Sequence, residues 1–266
     1  MGVLNVTPDS FSDGGRWPSV GAAVAHAERM LADGASIIDV GGESTRPGAS
    51  PVSEREELRR VIPVVEALVG RCTLSVDTRK PAVARRCAEL GVDIINDVSG
   101  SLWPICAEFG VGWVVMHMRG NPETMQADPR YHNVVDEVVE FLAKRAATAR
   151  AAGVGDVWID PGIGFGKSLD HNLALLRGID QLTTLGYPVL MGVSRKTFIH
   201  QISGAPDAQD RLGGSLAAAL HAAIAGVEIL RVHDVPESIQ ALRVMEAIHP
   251  RSRAYLEALY QASVLD

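Results

Sequence analysis

The chain has 266 residues, with 25 Lys and Arg against 32 Asp and Glu, a formal net charge of −7 and 47% hydrophobic residues. That apolar fraction excludes a disordered chain, and the net acidity argues against general nucleic-acid binding while leaving room for a local basic pocket. The longest weakly polar stretch, 215–230, is broken by His221 and Glu228, so no membrane span is expected, and the N-terminus lacks the pattern of a secretion signal. Cys72, Cys87 and Cys106 are odd in number and widely spaced. They suit a reducing cytoplasm, with Cys87 and Cys106 read as core residues.

Short apolar runs rich in β-branched residues recur at 2–6, 36–40, 72–76, 92–96, 112–116, 156–160, 188–193 and 227–232. Most are continuous rather than alternating, which predicts strands buried on both faces. Helical spacing fills the gaps between them. Ala22, His26 and Met30 with Ala23, Ala27 and Leu31 mark a first helix. Ser53 and Glu56 form a predicted capping box ahead of Leu58, Val61, Ile62, Val65 and Leu68. Pro81 suits a first helical turn. Longer helices are predicted over 133–151, 210–225 and 236–248, with a helical tail over 249–266 carrying Leu256 and Leu259. Eight alternations predict an α/β fold, a (β/α)8 TIM barrel, as a single domain over 1–266. A doubly wound open sheet is the competing arrangement.

The polar residues fall at the C-terminal ends of these strands. The first two ends read Asn5-Val-Thr-Pro-Asp-Ser-Phe-Ser-Asp-Gly-Gly15 and Asp39-Val-Gly-Gly-Glu-Ser-Thr-Arg-Pro-Gly48. Ser75-Val-Asp-Thr78, Asn96-Asp-Val-Ser-Gly100 and Met116-His-Met118 follow. Asp160-Pro-Gly-Ile-Gly-Phe-Gly-Lys167, Gly192-Val-Ser-Arg-Lys196 and Arg231-Val-His-Asp234 complete the set. In a barrel these ends converge on the rim where loops build an active site, whereas the opposite connections are short and plain. A single strand-end Asp or Asn ordinarily caps a helix or satisfies a turn, and Asp97 and Asp234 are read that way. His26 and His221 are read as helix residues. His117 stands at the rim with no partner evident in sequence. The segment Gly162-Ile-Gly-Phe-Gly-Lys-Ser168 imitates a phosphate loop, but Pro161 stands where that motif needs its first glycine. It also fails the dinucleotide spacing, and no zinc motif occurs.

Asp77, Asn96 and Asp160 offer two carboxylates and an amide from separate strands, suited to a flat heterocycle bearing donors and acceptors. Lys196, Arg231 and His233 form a cationic group suited to phosphate. Asn5 adds a neutral oxygen for magnesium or a phosphate contact. No nucleophile–histidine arrangement is evident.

The stretches 5–15, 41–48, 194–196 and 231–235 closely resemble the dihydropteroate synthase family, and those at 75–78, 95–98, 116–118 and 160–162 fit it in the same order. The resemblance covers about 2–248. It implies a homodimeric barrel of folate synthesis with Mg²⁺ as cofactor. The substrates it implies are 6-hydroxymethyl-7,8-dihydropterin diphosphate and 4-aminobenzoate. Asp77, Asn96, Asp160 and Lys196 would hold the pterin, and Asn5, Arg231 and His233 the diphosphate, with magnesium at Asn5. Thr45, Arg46, Pro47, Phe165 and Ser194 would shape the aminobenzoate pocket, with Phe11 closing over it. Lys196, Arg231 and His233 are the implied catalytic residues.

Loss of pyrophosphate leaves positive character on the pterin methylene, and cations stabilise the departing charge. The arylamine is already nucleophilic, so no strong base is needed. Arg231→Ala is therefore expected to harm turnover more than folding. A pterin-dependent methyltransferase domain shares the barrel and mid-chain motifs but has no pyrophosphate to hold, so residues 194–196 and 231–233 favour the synthase. A non-catalytic pterin-binding paralogue would be expected to have lost Arg46, Lys196, Arg231 or His233, and all are present. The family also carries a short segment ahead of the first strand that closes the barrel floor. Met1 stands four residues ahead of Asn5, so that segment is expected to be missing or trimmed.

Overall fold

The computed structural model describes residues 1–7, 19–44, 51–122 and 124–249. Six parallel strands lie in chain order: β1 (Gly2–Asn5), β2 (Ile37–Gly41), β3 (Thr73–Asp77), β4 (Ile94–Asp97), β5 (Gly112–Met116) and β6 (Val157–Asp160). A parallel pair, β7 (Leu190–Met191) and β8 (Ile229–Leu230), completes the set. Backbone bridges Ile159–Val189 and Gly2–Val232 join that pair to both edges of the larger sheet. The bond from Val3 N–H to the Val232 carbonyl, 3.0 Å, seals the last seam. The ring is closed, which decides against the open doubly wound sheet.

The helices between strands are α1 (Val20–Ala32), α2 (Glu54–Leu68), α3 (Pro81–Leu90), α4 (Trp103–Phe109) and α5 (Val134–Ala151). The later ones are α6 (Leu169–Arg177), α7 (Ile179–Thr183), α8 (Thr197–Ser203), α9 (Leu212–Ile224) and α10 (Val235–Ile248). His26 and His221 lie within α1 and α9, and Pro81 opens α3 as its sequence position predicts. The expected helix start at residue 210 falls instead within a 3₁₀ turn, Ala208–Arg211, ahead of α9. The box at α2 is only half formed. Ser53 Oγ accepts the Glu56 N–H, but the Glu56 carboxylate turns outward to Arg59 and Arg60, the stronger partners one turn on. A complete box occurs at Ser168 and His171, heading α6.

Most of the core lies between strands and helices, where Cys87 and Cys106 are buried. A smaller cluster of Ile94, Val114 and Leu190, flanked by Met1, Ile37, Trp158 and Ile229, draws one residue from nearly every strand and fills the barrel interior. No helix among the described residues is long and apolar enough to cross a membrane. Residues 250–266, most of the expected helical tail, lie outside the described residues.

Candidate active site

Strand register explains why distant sequence motifs meet. Asn5 pairs with Gly41, Gly41 with Asp77, and Asp77 with Asn96, so one rung crosses β1 to β4. A Cβ at Gly41 would stand 3.6 Å from Asn5 Oδ1 and 3.7 Å from Asp77 Cβ, so these side chains share one pit across the glycine. Two residues earlier on β2, and therefore on the same face, is fully buried Asp39. Its Oδ2 accepts from Asn96 Nδ2 at 3.1 Å and from Arg231 Nε at 2.6 Å. Arg231 Nη2 reaches Asp77 Oδ2 at 2.8 Å. Asp160 enters from β6, its Oδ1 accepting the Gly162 N–H at 2.7 Å.

Burial pushes the Asp77 carboxyl up to about 7, against the pull of Arg231 and with Asp39 adding to the rise. Burial likewise raises Asp160, with Lys196 and Arg231 opposing. For Arg231, burial works against the charge, but Asp39 and Asp77 outweigh it and hold the group above its ordinary value. The structure thus bonds Arg231 to Asp77, links Asn96 to Arg231 through Asp39, and brings Asp160 and Lys196 within electrostatic reach. It adds Asp39, which sequence reasoning noted at a strand end but gave no role.

The register of β7 and β8, Leu190 with Ile229, is an offset of 39 that persists beyond the strand ends. It places Ser194 against His233 and Arg195 against Asp234. Ser194 Oγ lies 3.1 Å from His233 Nδ1 and accepts the His233 backbone N–H at 3.3 Å. A serine–histidine contact therefore exists that the sequence did not suggest, because it arises from cross-strand pairing. Here it orients the imidazole. Arg195 holds Asp234 through two charge-assisted bonds, one of them 3.0 Å from Nε. Arg195 has a φ of 59°, a left-handed conformation fixed by bonds from its N–H to Ser215 Oγ, 2.8 Å, and to its carbonyl from Arg211, 3.0 Å. The next residue, Lys196, carries its ammonium 4.1 Å from the centre of the Phe165 ring.

His117 does have a partner. Lys167 Nζ lies 3.0 Å from His117 Nδ1 and donates to the carbonyls of His117 and Phe165 at 3.2 and 3.0 Å. The lysine of the apparent phosphate loop is thus turned inward. Where Lys167 is protonated it can only donate, so Nδ1 then accepts and the imidazole is the neutral Nε2–H tautomer. Burial, then the neighbouring Lys167, pushes His117 down to about 3. Burial also lowers Lys167 to about 7, with Asp160 opposing. Asp97 serves structure: its two oxygens accept from Ser99, Ser101, Leu102 and the Trp113 indole. Phe11, Thr45, Arg46 and Pro47 lie outside the described residues.

A model of the family "Pterin binding enzyme" matches residues 1–233. A dihydropteroate synthase of Escherichia coli is 49% identical over 255 residues, covering 93% of this chain and 90% of that protein. The chain belongs to the dihydropteroate synthase family. That of Haemophilus influenzae is 48% identical, covering 93% of this chain and 92% of its own length. Among solved structures, the Yersinia pestis dihydropteroate synthase in a sulfonamide drug complex superposes with a TM-score of 0.87 at 45% identity, covering 94% and 93% of the two chains. The Thermus thermophilus synthase in complex with 4-aminobenzoate gives 0.85 at 47% identity, covering 94% and 93%. Family membership makes the chain a transferase of the pterin-binding barrels.

Magnesium can be tested against the donors present. No cluster of three or more acidic, histidine or cysteine ligands occurs among the described residues. Magnesium retains several waters and commonly takes one or two protein oxygens plus substrate phosphates. Asn5 Oδ1, facing the pit beside Asp77, fits that limited role.

Proposed function

We infer that this chain condenses 6-hydroxymethyl-7,8-dihydropterin diphosphate with 4-aminobenzoate, giving 7,8-dihydropteroate and pyrophosphate. The observation that carries the reading is a pair of buried carboxylate oxygens, Asp39 Oδ1 and Asp77 Oδ1, that have no hydrogen-bond partner among the described residues. Such oxygens are costly unless a ligand supplies donors, and the amino group and ring N–H of a pterin do so. Complexes of the Thermus thermophilus enzyme with 4-aminobenzoate and with 6HMPPP support both substrates.

In this reading Asp77, Asn96, Asp160 and Lys196 hold the pterin ring. The methylene C–O bond breaks, its electron pair leaves with pyrophosphate, the arylamine lone pair bonds to the methylene carbon, and the new ammonium nitrogen releases its proton to water. Arg231 Nε and Nη2 are bound to carboxylates, while Nη1 is bound to neither and is assigned to the diphosphate. His233, oriented by Ser194, adds a second donor. Asn5 would hold Mg²⁺, which supplies charge neutralisation to the diphosphate when bound. Phe165 borders the aminobenzoate with Ser194, and Phe11, Thr45, Arg46 and Pro47 are assigned to the same pocket.

The homodimer reading is supported by a groove of about 490 Å³ between α9 and α10, where Ile224, Val244 and Ile248 are exposed. A cytoplasmic setting agrees with the free thiols of Cys72, Cys87 and Cys106. A single domain is supported by the closed ring of strands. Pyrophosphate release from the two substrates with Mg²⁺ tests the reaction, and a folded protein that releases none overturns it. Sedimentation at micromolar concentration tests the dimer.

A further inference from the structure

Lys167 is a buried lysine that the proposed chemistry leaves unused. Its position follows from the three glycines before it. Gly162, Gly164 and Gly166 have φ values of +66°, +84° and +60°, so the segment after β6 coils tightly. A Cβ at Gly162 would stand 2.0 Å from the His117 carbonyl oxygen, and one at Gly166 2.3 Å from that of Arg119. The segment therefore lies backbone against backbone on the chain following β5. Lys167 fastens the seam, giving its three N–H donors to His117 Nδ1, the His117 carbonyl and the Phe165 carbonyl. His117 is itself braced edge-on by Phe141 at 5.0 Å.

The fastened carbonyl belongs to Phe165, the residue assigned to the aminobenzoate pocket. Lys196 has separate support, because Arg195 before it is held by Asp234, Ser215 and Arg211. We propose that Lys167, seated on His117, is a positioning residue that fixes Phe165 and thereby sets affinity for the aromatic amine rather than for the pterin. The proposal rests on the assignment of the second substrate made above.

The test is Lys167→Met in the full chain, read by steady-state kinetics with each substrate varied, alongside calorimetric binding of 4-aminobenzoate and thermal melting. Loss of the bonds from Lys167 Nζ predicts a rise of about tenfold in KM and Kd for 4-aminobenzoate. KM for the pterin diphosphate should rise by clearly less, because Lys167 acts on Asp160 only through its charge, its three N–H donors being given to His117 and Phe165. Unchanged aminobenzoate constants, or an equal rise in both KM values, overturn the proposal, as does a lowered melting temperature with normal constants. His117 supplies a second pair of variants should Lys167→Met fail to fold. His117→Asn keeps an acceptor near Nδ1 and should retain near-normal aminobenzoate binding, whereas His117→Leu should weaken it, and equal behaviour of the two overturns the proposal. Absence of wild-type turnover would strike the reaction assigned to the protein, while the binding comparison still decides the role of Lys167.

Discussion

Asp39 and Arg231 are 192 residues apart in sequence and 2.6 Å apart in the barrel, joined at a point where Arg231 also reaches Asp77. One guanidinium thus compensates two buried carboxylates. Sequence alone leads one to expect Arg231→Ala to harm turnover more than folding, but the cost to folding is itself large, because removing the cation strands both acids in the interior. A loss of about 3–5 kcal/mol in urea unfolding is expected. Adding Asp39→Asn should restore roughly half of it, since the neutral amide no longer needs a countercharge. Turnover should stay depressed by about 100-fold or more in both variants. A single variant as stable as wild type would remove the compensation argument.

The proton on Asp77 gives a pH prediction. Burial raises this carboxyl to about 7, above its unfolded value, so the folded state binds the proton more tightly. Its contribution to stability is therefore fully present below about pH 4, falls as pH rises towards 7 and is level above that. Pterin binding runs the other way, because the ring's N–H donors need the ionised carboxylate. Calorimetric affinity for 6-hydroxymethylpterin should weaken as pH falls from about 7.5 to 5.5, and Asp77→Asn should flatten that dependence while lowering affinity overall. A wild-type affinity constant across this range would exclude Asp77 as the group concerned.

Asp97 separates stability from chemistry at the same rim. Its Oδ2 alone takes the N–H groups of Ser101 and Leu102 at 2.7 and 2.6 Å and the Trp113 indole at 3.0 Å. Asp97→Ala leaves these donors unpaired and should cost on the order of 3 kcal/mol. The folded fraction should keep a near-normal KM for each substrate. A large KM change without loss of stability would move Asp97 into the site.

The eight strands were legible because buried runs and helical spacing are local signals, and the rim residues because polar groups at strand ends break those runs. Long-range pairing carried no such signal. Asp39 stood in plain sight as a strand-end acid, yet its importance comes from Arg231 and Asn96, contributed by other strands. Ser194 and His233 meet because two strands share a register offset of 39, which the spacing of either motif alone does not reveal. Lys167 ends a run that imitates a phosphate loop, but the glycines ahead of it are the sequence sign of close backbone approach. Residue types alone suggest a complete box at Ser53, whereas Arg59 and Arg60, one turn on, compete for the Glu56 carboxylate.

Those glycines supply a contrast between fold and site. At Gly162 a methyl group would combine a left-handed backbone with collision against the fixed His117 carbonyl, 2.0 Å away. Neither backbone can yield without opening the seam, so Gly162→Ala should cost about 3 kcal/mol or more and lower soluble yield. At Gly164 the backbone strain is similar, but the new Cβ meets only the Lys196 side chain, 3.4 Å from Cδ. A long side chain can shift by tenths of an ångström, so the added steric cost is small. The displacement instead falls on the ammonium assigned to the pterin. Gly164→Ala should therefore lose only about 1–2 kcal/mol of stability while raising KM for the pterin diphosphate severalfold. Chemical unfolding of the two variants side by side, with KM measured on whatever folds, checks both halves. Equal destabilisation with an unchanged pterin KM would show that the contact with Lys196 has no bearing on substrate binding.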